Sequence, residues 1–412
     1  MNIFLECRPI LSALLRNKTG ALLIALQIAL TLAVLCNALY IIGDRLDIAK
    51  RPSGAAEDEV FLIRMVPFRE VSNIKAMQLA DEAALRAIPG VKSVTWTNQA
   101  PLAQSAWTTG LAVDRAQSNE TLSAAQYIVP GSLTETLGLN LIEGRDFYQN
   151  EVIDVDPNSS ALPEPNGVIL SLAAAKKMFP ESSSFVGKTI YWGTGDESPA
   201  LNITGIVETL QSPHAPIGED AEYSMILPAR FLDRYSQYLV RTAPEDRARV
   251  MTEAEKVLTT IRNDRVLLSN RGIDELRERR YRAENALSNM LLTVTGLMLL
   301  ITASGIVGMA TLWVNQRRKQ IGIRRALGAM KQDILRYFIT ENLLISGFGI
   351  LLGAGLTLLL NHVLVSVMEL SRLPLMLLAY GIVTLVALGV IAVLGPAWKG
   401  ASVPAAEATR SV

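Results

Sequence analysis

Residues 20–43 read GALLIALQIALTLAVLCNALYIIG, an apolar run without one charged side chain. As a helix rising 1.5 Å per residue it reaches about 36 Å, enough to cross a hydrocarbon core of about 30 Å. A cleaved secretory leader has a shorter apolar region followed by a small-residue site, and this run has neither feature. Leu35 stands before Cys36, where a lipoprotein signal carries a small residue. The run is therefore expected to be an uncleaved span. Three more runs of the same character follow, at 289–314, 339–367 and 373–395. Half of the 412 residues are hydrophobic, and the mean hydropathy is +0.28. Lysine plus arginine and aspartate plus glutamate balance at 39 each, so net charge points to no nucleic-acid partner. The two cysteines, Cys7 and Cys36, both lie outside the large polar region, which leaves no disulfide framework there.

The basic residues set the direction of the spans. Arg8, Arg16 and Lys18 precede the first span. Arg317, Arg318, Lys319, Arg324, Arg325, Lys331 and Arg336 crowd the short connection between the second and third, and Lys399 and Arg410 follow the fourth. With four spans all three groups fall on one side, so both termini are expected in the cytoplasm and the segment from about 44 to 288 on the far side. Within the spans Glu341 sits at the mouth of the third and His362 near its outer end. Ion-coupled transporters carry charged groups near the midplane, and this pattern argues against one. Gly349 with Gly353, and Ser304 with Gly308, are small pairs four residues apart of the kind that lets membrane helices approach closely.

The polar region between the first two spans mixes periods. Strand-like runs cover 59–65, 91–96, 167–170, 188–192 and 203–207, and helical runs cover 74–88, 172–178 and 247–262. The fold class is thus an α-helical membrane protein with four transmembrane helices plus a large α+β domain between the first and second. No catalytic constellation emerges. His214 is the domain's only histidine, no G-x-S-x-G is present, and Asp154 and Asp156 read as solvated loop charges. Gly187-Lys188-Thr189 looks like the end of a phosphate loop, but Ser182 stands where that motif needs its first glycine.

Before the second span, Ile273, Leu276, Arg280, Ala283, Leu287, Met290 and Val294 alternate in steps of three and four, a heptad seam that continues through Leu297, Ile301, Ser304 and Gly308. One unbroken stalk helix over 273–314 is expected. At the N-terminus, residues 1–19 contain an amphipathic stretch, Ile3–Leu15, suited to lie on the inner leaflet. The connection 315–338 is basic, yet places Ile321, Ile323, Ala326, Leu327 and Ile334 near helical spacing, with Gly328 able to end a short helix. Such a helix suits a groove on a soluble partner, and composition leaves that reading level with a plain positive anchor.

Arg317-Arg318-Lys319-Gln320-Ile321-Gly322-Ile323-Arg324-Arg325-Ala326-Leu327-Gly328-Ala329 resembles the cytoplasmic loop R-x-x-E-I-G-I-R-R-A-L-G-A of the MacB/FtsX family of ABC transporter permeases. Gln320 stands where the family carries glutamate. Phe338-Ile339-Thr340-Glu341-Asn342, Pro396-Ala397-Trp398-Lys399 and Pro404-Ala405-Ala406-Glu407-Ala408 are similar to further family segments. In the large domain Ile88-Pro89-Gly90-Val91, Val129-Pro130-Gly131-Ser132, Glu143-Gly144-Arg145-Asp146-Phe147 and Phe185-Val186-Gly187-Lys188 do the same.

The resemblance implies a mechanotransmission (type VII) permease of the bacterial inner membrane. It implies a MacB-like periplasmic core over 44–272, an FtsX-like permease domain over 289–412 and a cytoplasmic tail over 396–412. It also implies that a cytoplasmic ATPase dimer, binding ATP and magnesium, moves the outer domain. With no Walker A motif in the chain, the ATPase is expected on a separate subunit, and no cofactor or metal on this one. Arg317, Arg318, Gln320, Ile321, Gly322, Ile323, Arg324, Arg325, Ala326, Leu327, Gly328 and Glu341 are the candidate coupling residues. Ile273, Leu276, Ala283, Leu287 and Met290 form the candidate stalk seam. A second permease copy, identical or related, is an expected partner, with a periplasmic adaptor and an outer-membrane channel as further candidates. Export or efflux is the leading function. Lipoprotein extraction, control of a cell-wall hydrolase and a membrane-anchored binding domain are the alternatives.

Overall fold

The computed structural model describes residues 18–157, 164–368 and 372–402, so the amphipathic stretch Ile3–Leu15 and Pro404-Ala405-Ala406-Glu407-Ala408 lie outside the described residues. The chain divides into two units, Ile48–Ala283 and Met1–Asp47 with Glu284–Val412. Helix α1 (Lys18–Ala49) opens the described chain. The large unit then runs β1 (Val60–Pro67), α2 (Ile74–Arg86), β2 (Val91–Trp96), β3 (Thr108–Ala112), β4 (Leu122–Val129), α3 (Leu133–Leu137), β5 (Leu141–Gly144) and β6 (Ile153–Val155). It continues with β7 (Gly167–Ser171), α4 (Leu172–Met178), β8 (Thr189–Trp192), β9 (Ala200–Val207), β10 (Ser224–Phe231), β11 (Ser236–Thr242), α5 (Arg247–Ile261), β12 (Arg265–Gly272) and α6 (Ile273–Arg280). Four helices follow: α7 (Arg282–Gln316), α8 (Arg318–Ala326), α9 (Lys331–Met368) and α10 (Leu375–Ala401).

The large unit contains two sheets. The first is antiparallel, in the order β12-β1-β11-β2. Alternation along β1 sends Phe61, Ile63 and Met65 to one face, where α2 and α5 cover them, and Val60 and Leu62 to the other. The second runs β4-β3-β8-β9-β7-β10 and closes on itself where β10 pairs with β4 in parallel, so these six strands make a barrel. β6 extends from β10 and β5 from β9. The barrel interior is packed with Leu111, Val168, Ile190, Leu201 and Met225. Local signals fix several boundaries. Asn73 caps α2 by accepting from the Ala76 amide at 2.9 Å. Ser171 caps α4, and Gly90 takes the positive φ of +94° that turns the chain from α2 into β2. A buried ion pair, Asp81 with Arg265 at 2.6 Å and 2.8 Å, ties α2 to β12, and Tyr238 of β11 donates to the same carboxylate at 2.8 Å.

Helix α6 belongs to this unit. Ile273 and Leu276 are buried in its core, and Arg277 grips Glu57 at 2.5 Å and 2.7 Å and the Ala49 carbonyl at 2.8 Å. Arg280 donates to the carbonyls of His214 and Ala215 at 2.7 Å each. The expectation of one unbroken stalk helix over 273–314 is corrected here. The helix stops at Tyr281, whose φ and ψ of −96° and 11° leave the helical region. The physical cause is tertiary: the Tyr281 ring is buried, and its hydroxyl accepts from Gln211 at 3.0 Å. The seam is divided accordingly. Ile273 and Leu276 pack inward, whereas Ala283, Leu287 and Met290 are exposed.

α1, α7, α9 and α10 are each long and apolar enough to cross a membrane, and α1 is the most buried of them. It touches all three others. Gly349 and Gly353 let α9 lie on α1, where an added Cβ would sit 2.7 Å from the Ala25 carbonyl oxygen and 2.9 Å from Ala29 Cα. Thr31 and Thr302 share a hydrogen bond of 2.8 Å between α1 and α7. Gly381 of α10 faces the Cys36 sulfur. The pair Ser304 and Gly308 plays no such part among the described residues: Ser304 is exposed, and a Cβ added at Gly308 would meet nothing within 4 Å. The tail expected from 396 begins later, because α10 continues through Pro396 to Ala401.

Candidate coupling site

Helix α8 lies between α7 and α9 in sequence and is short because Gly328 ends it. Gly328 adopts φ +96°, its amide donates to the Arg325 carbonyl at 3.1 Å, and the Ala329 amide reaches the Arg324 carbonyl at 3.0 Å. These two bonds are a Schellman cap, which needs the left-handed conformation that glycine adopts at no steric cost. α9 then starts cleanly, with Asp333 accepting from the Met330 amide at 2.9 Å.

One face of α8 is pinned. Ile321 and Gly322 are buried. Arg317, just before α8, donates to Glu341 at 2.8 Å and to the Tyr337 hydroxyl at 3.0 Å, both on α9. Arg325 donates to the carbonyl of Ala401 at 2.7 Å, placing a cation at the C-terminal end of α10, where unpaired carbonyls concentrate negative potential. The guanidinium groups of Arg317 and Arg324 lie 5.8 Å and 5.3 Å from the Tyr337 ring centre. Glu341 is 1% exposed, so the residue at the mouth of the third span is buried and paired; its Oε1 has no partner among the described residues. Gln320 is exposed, and Arg317 finds its carboxylate on α9.

The opposite face is open. Ile323 is 48% exposed, Leu327 84% and Met330 70%. They are spaced by four and three residues, with Arg318, Lys319, Gln320, Arg324 and Ala326 exposed around them. These exposed apolar side chains therefore sit among cations. Of the expected coupling residues, the structure places Arg317, Ile321, Gly322, Arg325 and Glu341 in the anchoring set. Arg318, Gln320, Ile323, Ala326 and Leu327 lie in the open set, Arg324 is exposed but lies against the Tyr337 ring of α9, and Gly328 closes the helix. Tyr337 and Ala401 were missed by sequence reasoning. Met330 is apolar at the right spacing and was legible.

Residues 292–404 match the family model described as FtsX-like permease C-terminal. The resemblance to FtsX-like permeases is carried by this segment. The permease domain so defined contains most of α7 and all of α8, α9 and α10. The macrolide export ATP-binding/permease protein MacB of Acinetobacter baylyi is 24% identical over 305 residues, 71% of this chain and 42% of that protein. The pyoverdine export ATP-binding/permease protein PvdT of Pseudomonas fluorescens is 40% identical over 84 residues, 20% of this chain and 13% of that one. The chain thus spans less than half the length of these relatives. Among solved structures, the extracellular domain of the noncanonic ABC-type transporter YknZ from Gram-positive bacteria is covered in full by 50% of this chain. That likeness has a TM-score of 0.31 and 15% identity.

Proposed function

We propose that this chain is the permease subunit of an ABC transporter, and that a separate cytoplasmic ATPase docks on the open face of α8. The observation that carries this is the pairing of two faces on one short helix. Ile323 and Leu327 with Met330 face outward, while Arg317–Glu341 and Arg325–Ala401 fix the helix to α9 and α10. A push on the open face is then borne by the bundle, because the anchoring bonds are charge-assisted and partly shielded from water. The basic residues around α8 favour the cytoplasmic side. On this reading ATP and magnesium bind the partner, and its closure moves the large domain on the other side of the membrane, driving export or efflux. The exposed stripe Leu287, Met290, Leu297 and Ile301 on α7 is offered to a second permease, identical or related. An adaptor and an outer-membrane channel would act beyond the large domain.

The test is ATPase activity in the complex isolated from native membranes. Arg324→Glu and Leu327→Asp are expected to abolish stimulation of the co-purified ATPase by the permease. Undiminished stimulation with both variants would reject α8 as the docking element.

A further inference from the structure

The barrel of the large unit is packed at its centre and open at one end. There the inward-facing positions of its strands continue past the core and line a cavity of about 400 Å³. Ile128 continues the inward series Leu122 and Ala124 on β4, Trp192 follows Ile190 on β8, and Phe231 follows Met225 and Leu227 on β10. Trp107, just before β3, closes the ring and remains 45% exposed.

The walls are set in place. The Trp107 amide donates to Gln99 Oε1 at 2.7 Å and its carbonyl accepts from Gln99 Nε2 at 3.3 Å. Its ring meets Phe231 edge-on, with centroids 5.4 Å apart. The Trp192 indole donates to Thr109 at 2.6 Å. Wet aromatic surface costs free energy unless something covers it, and barrel mouths of this size are frequent ligand sites. Among the described residues lining the cavity, Glu164 is the one that carries charge. Three aromatic rings and a carboxylate select a cation, since the ring faces are electronegative and an anion would meet the carboxylate.

We propose that this barrel mouth binds a small organic cation with an apolar body, such as a substituted ammonium. The site stands on the barrel alone. Failure of coupling at α8 would leave it standing, and failure of binding here would leave the coupling untouched.

The test is calorimetric titration of the full chain in lipid nanodiscs, with empty nanodiscs subtracted. The probes are benzyltrimethylammonium and its near-isosteric neutral alcohol, 2-methyl-1-phenylpropan-2-ol. The cation is expected to bind about tenfold tighter than the alcohol, the scale of a partly desolvated cation–π contact. Glu164→Gln should lower that preference to about threefold, because a rim charge contributes modestly. Trp107→Leu and, separately, Phe231→Leu should each weaken the cation by about tenfold. Absence of saturable binding, equal affinity for the two probes, or undiminished binding in both aromatic variants would overturn the proposal. An unchanged preference in Glu164→Gln would overturn it as well.

Discussion

The contact between Arg317 and Glu341 offers a perturbation whose two halves are unequal. Glu341 is 1% exposed, while Arg317 keeps 20% of its side chain in contact with the surroundings. Removing the cation by Arg317→Gln leaves a buried carboxylate with no counter-charge, a loss of about 3–5 kcal/mol. Removing the anion by Glu341→Gln keeps the shape and an acceptor, and Arg317 can turn outward, so the cost is about 1–2 kcal/mol. The double variant has neither charge. It should be less destabilised than the sum of the singles by about 2 kcal/mol, the value of a charge-assisted hydrogen bond. The assay is hydrogen exchange of the peptide spanning residues 318–330 in the full chain, read alongside reversible unfolding in mixed detergent micelles. A local opening made easier by about 3 kcal/mol, the lower end for Arg317→Gln, raises exchange about 150-fold. Additive single effects, or unchanged exchange in Arg317→Gln, would refute the anchoring of α8 to α9.

Gly353→Val should destabilise the bundle by about 1–3 kcal/mol, because its Cβ would sit 2.9 Å from Ala29 Cα. Gly308→Ala, with open space in that direction, should not weaken it, and thermal unfolding of the two variants tests the contrast. In the large unit both side chains of the Asp81–Arg265 pair are fully buried. Asp81→Asn should cost about 3–5 kcal/mol, measured as faster limited proteolysis of the large unit. The Arg145 guanidinium holds the Glu151 carboxyl down at about 2, against an ordinary value of 4.5. A carboxylate with a lowered folded value stabilises fully above its unfolded value and loses that contribution as pH falls from about 4.5 toward 2. Stability measured across that window should therefore fall more steeply in the wild type than in Arg145→Gln; parallel curves would count against the pair.

The sequence and the structure agree most closely where a local signal exists. The strand at Val91–Trp96 and the helix at Leu172–Met178 were legible to the residue, because a glycine turn and a serine cap bound them. The spans were legible from uninterrupted apolar length alone. β4, β10 and β11 were not, since they are buried almost throughout and show no alternation to mark them. Barrel closure was equally hidden: it depends on Ser224 meeting Ala125 across a long stretch of chain. The heptad seam was real as a pattern but did not imply one rod, because the contact that takes Tyr281 out of the helix comes from Gln211, 70 residues away. At α8 the helix and its glycine stop could be read. Its anchors could not, because Arg317 and Arg325 find partners 24 and 76 residues further along.

The most direct measurement of docking at α8 is site-specific photo-crosslinking in native membranes. With p-benzoylphenylalanine introduced at position 327, the expected product is an adduct with a nucleotide-binding subunit that disappears when Ile323→Asp is added. An adduct only with proteins of the opposite compartment, or none with an ATPase, would contradict it.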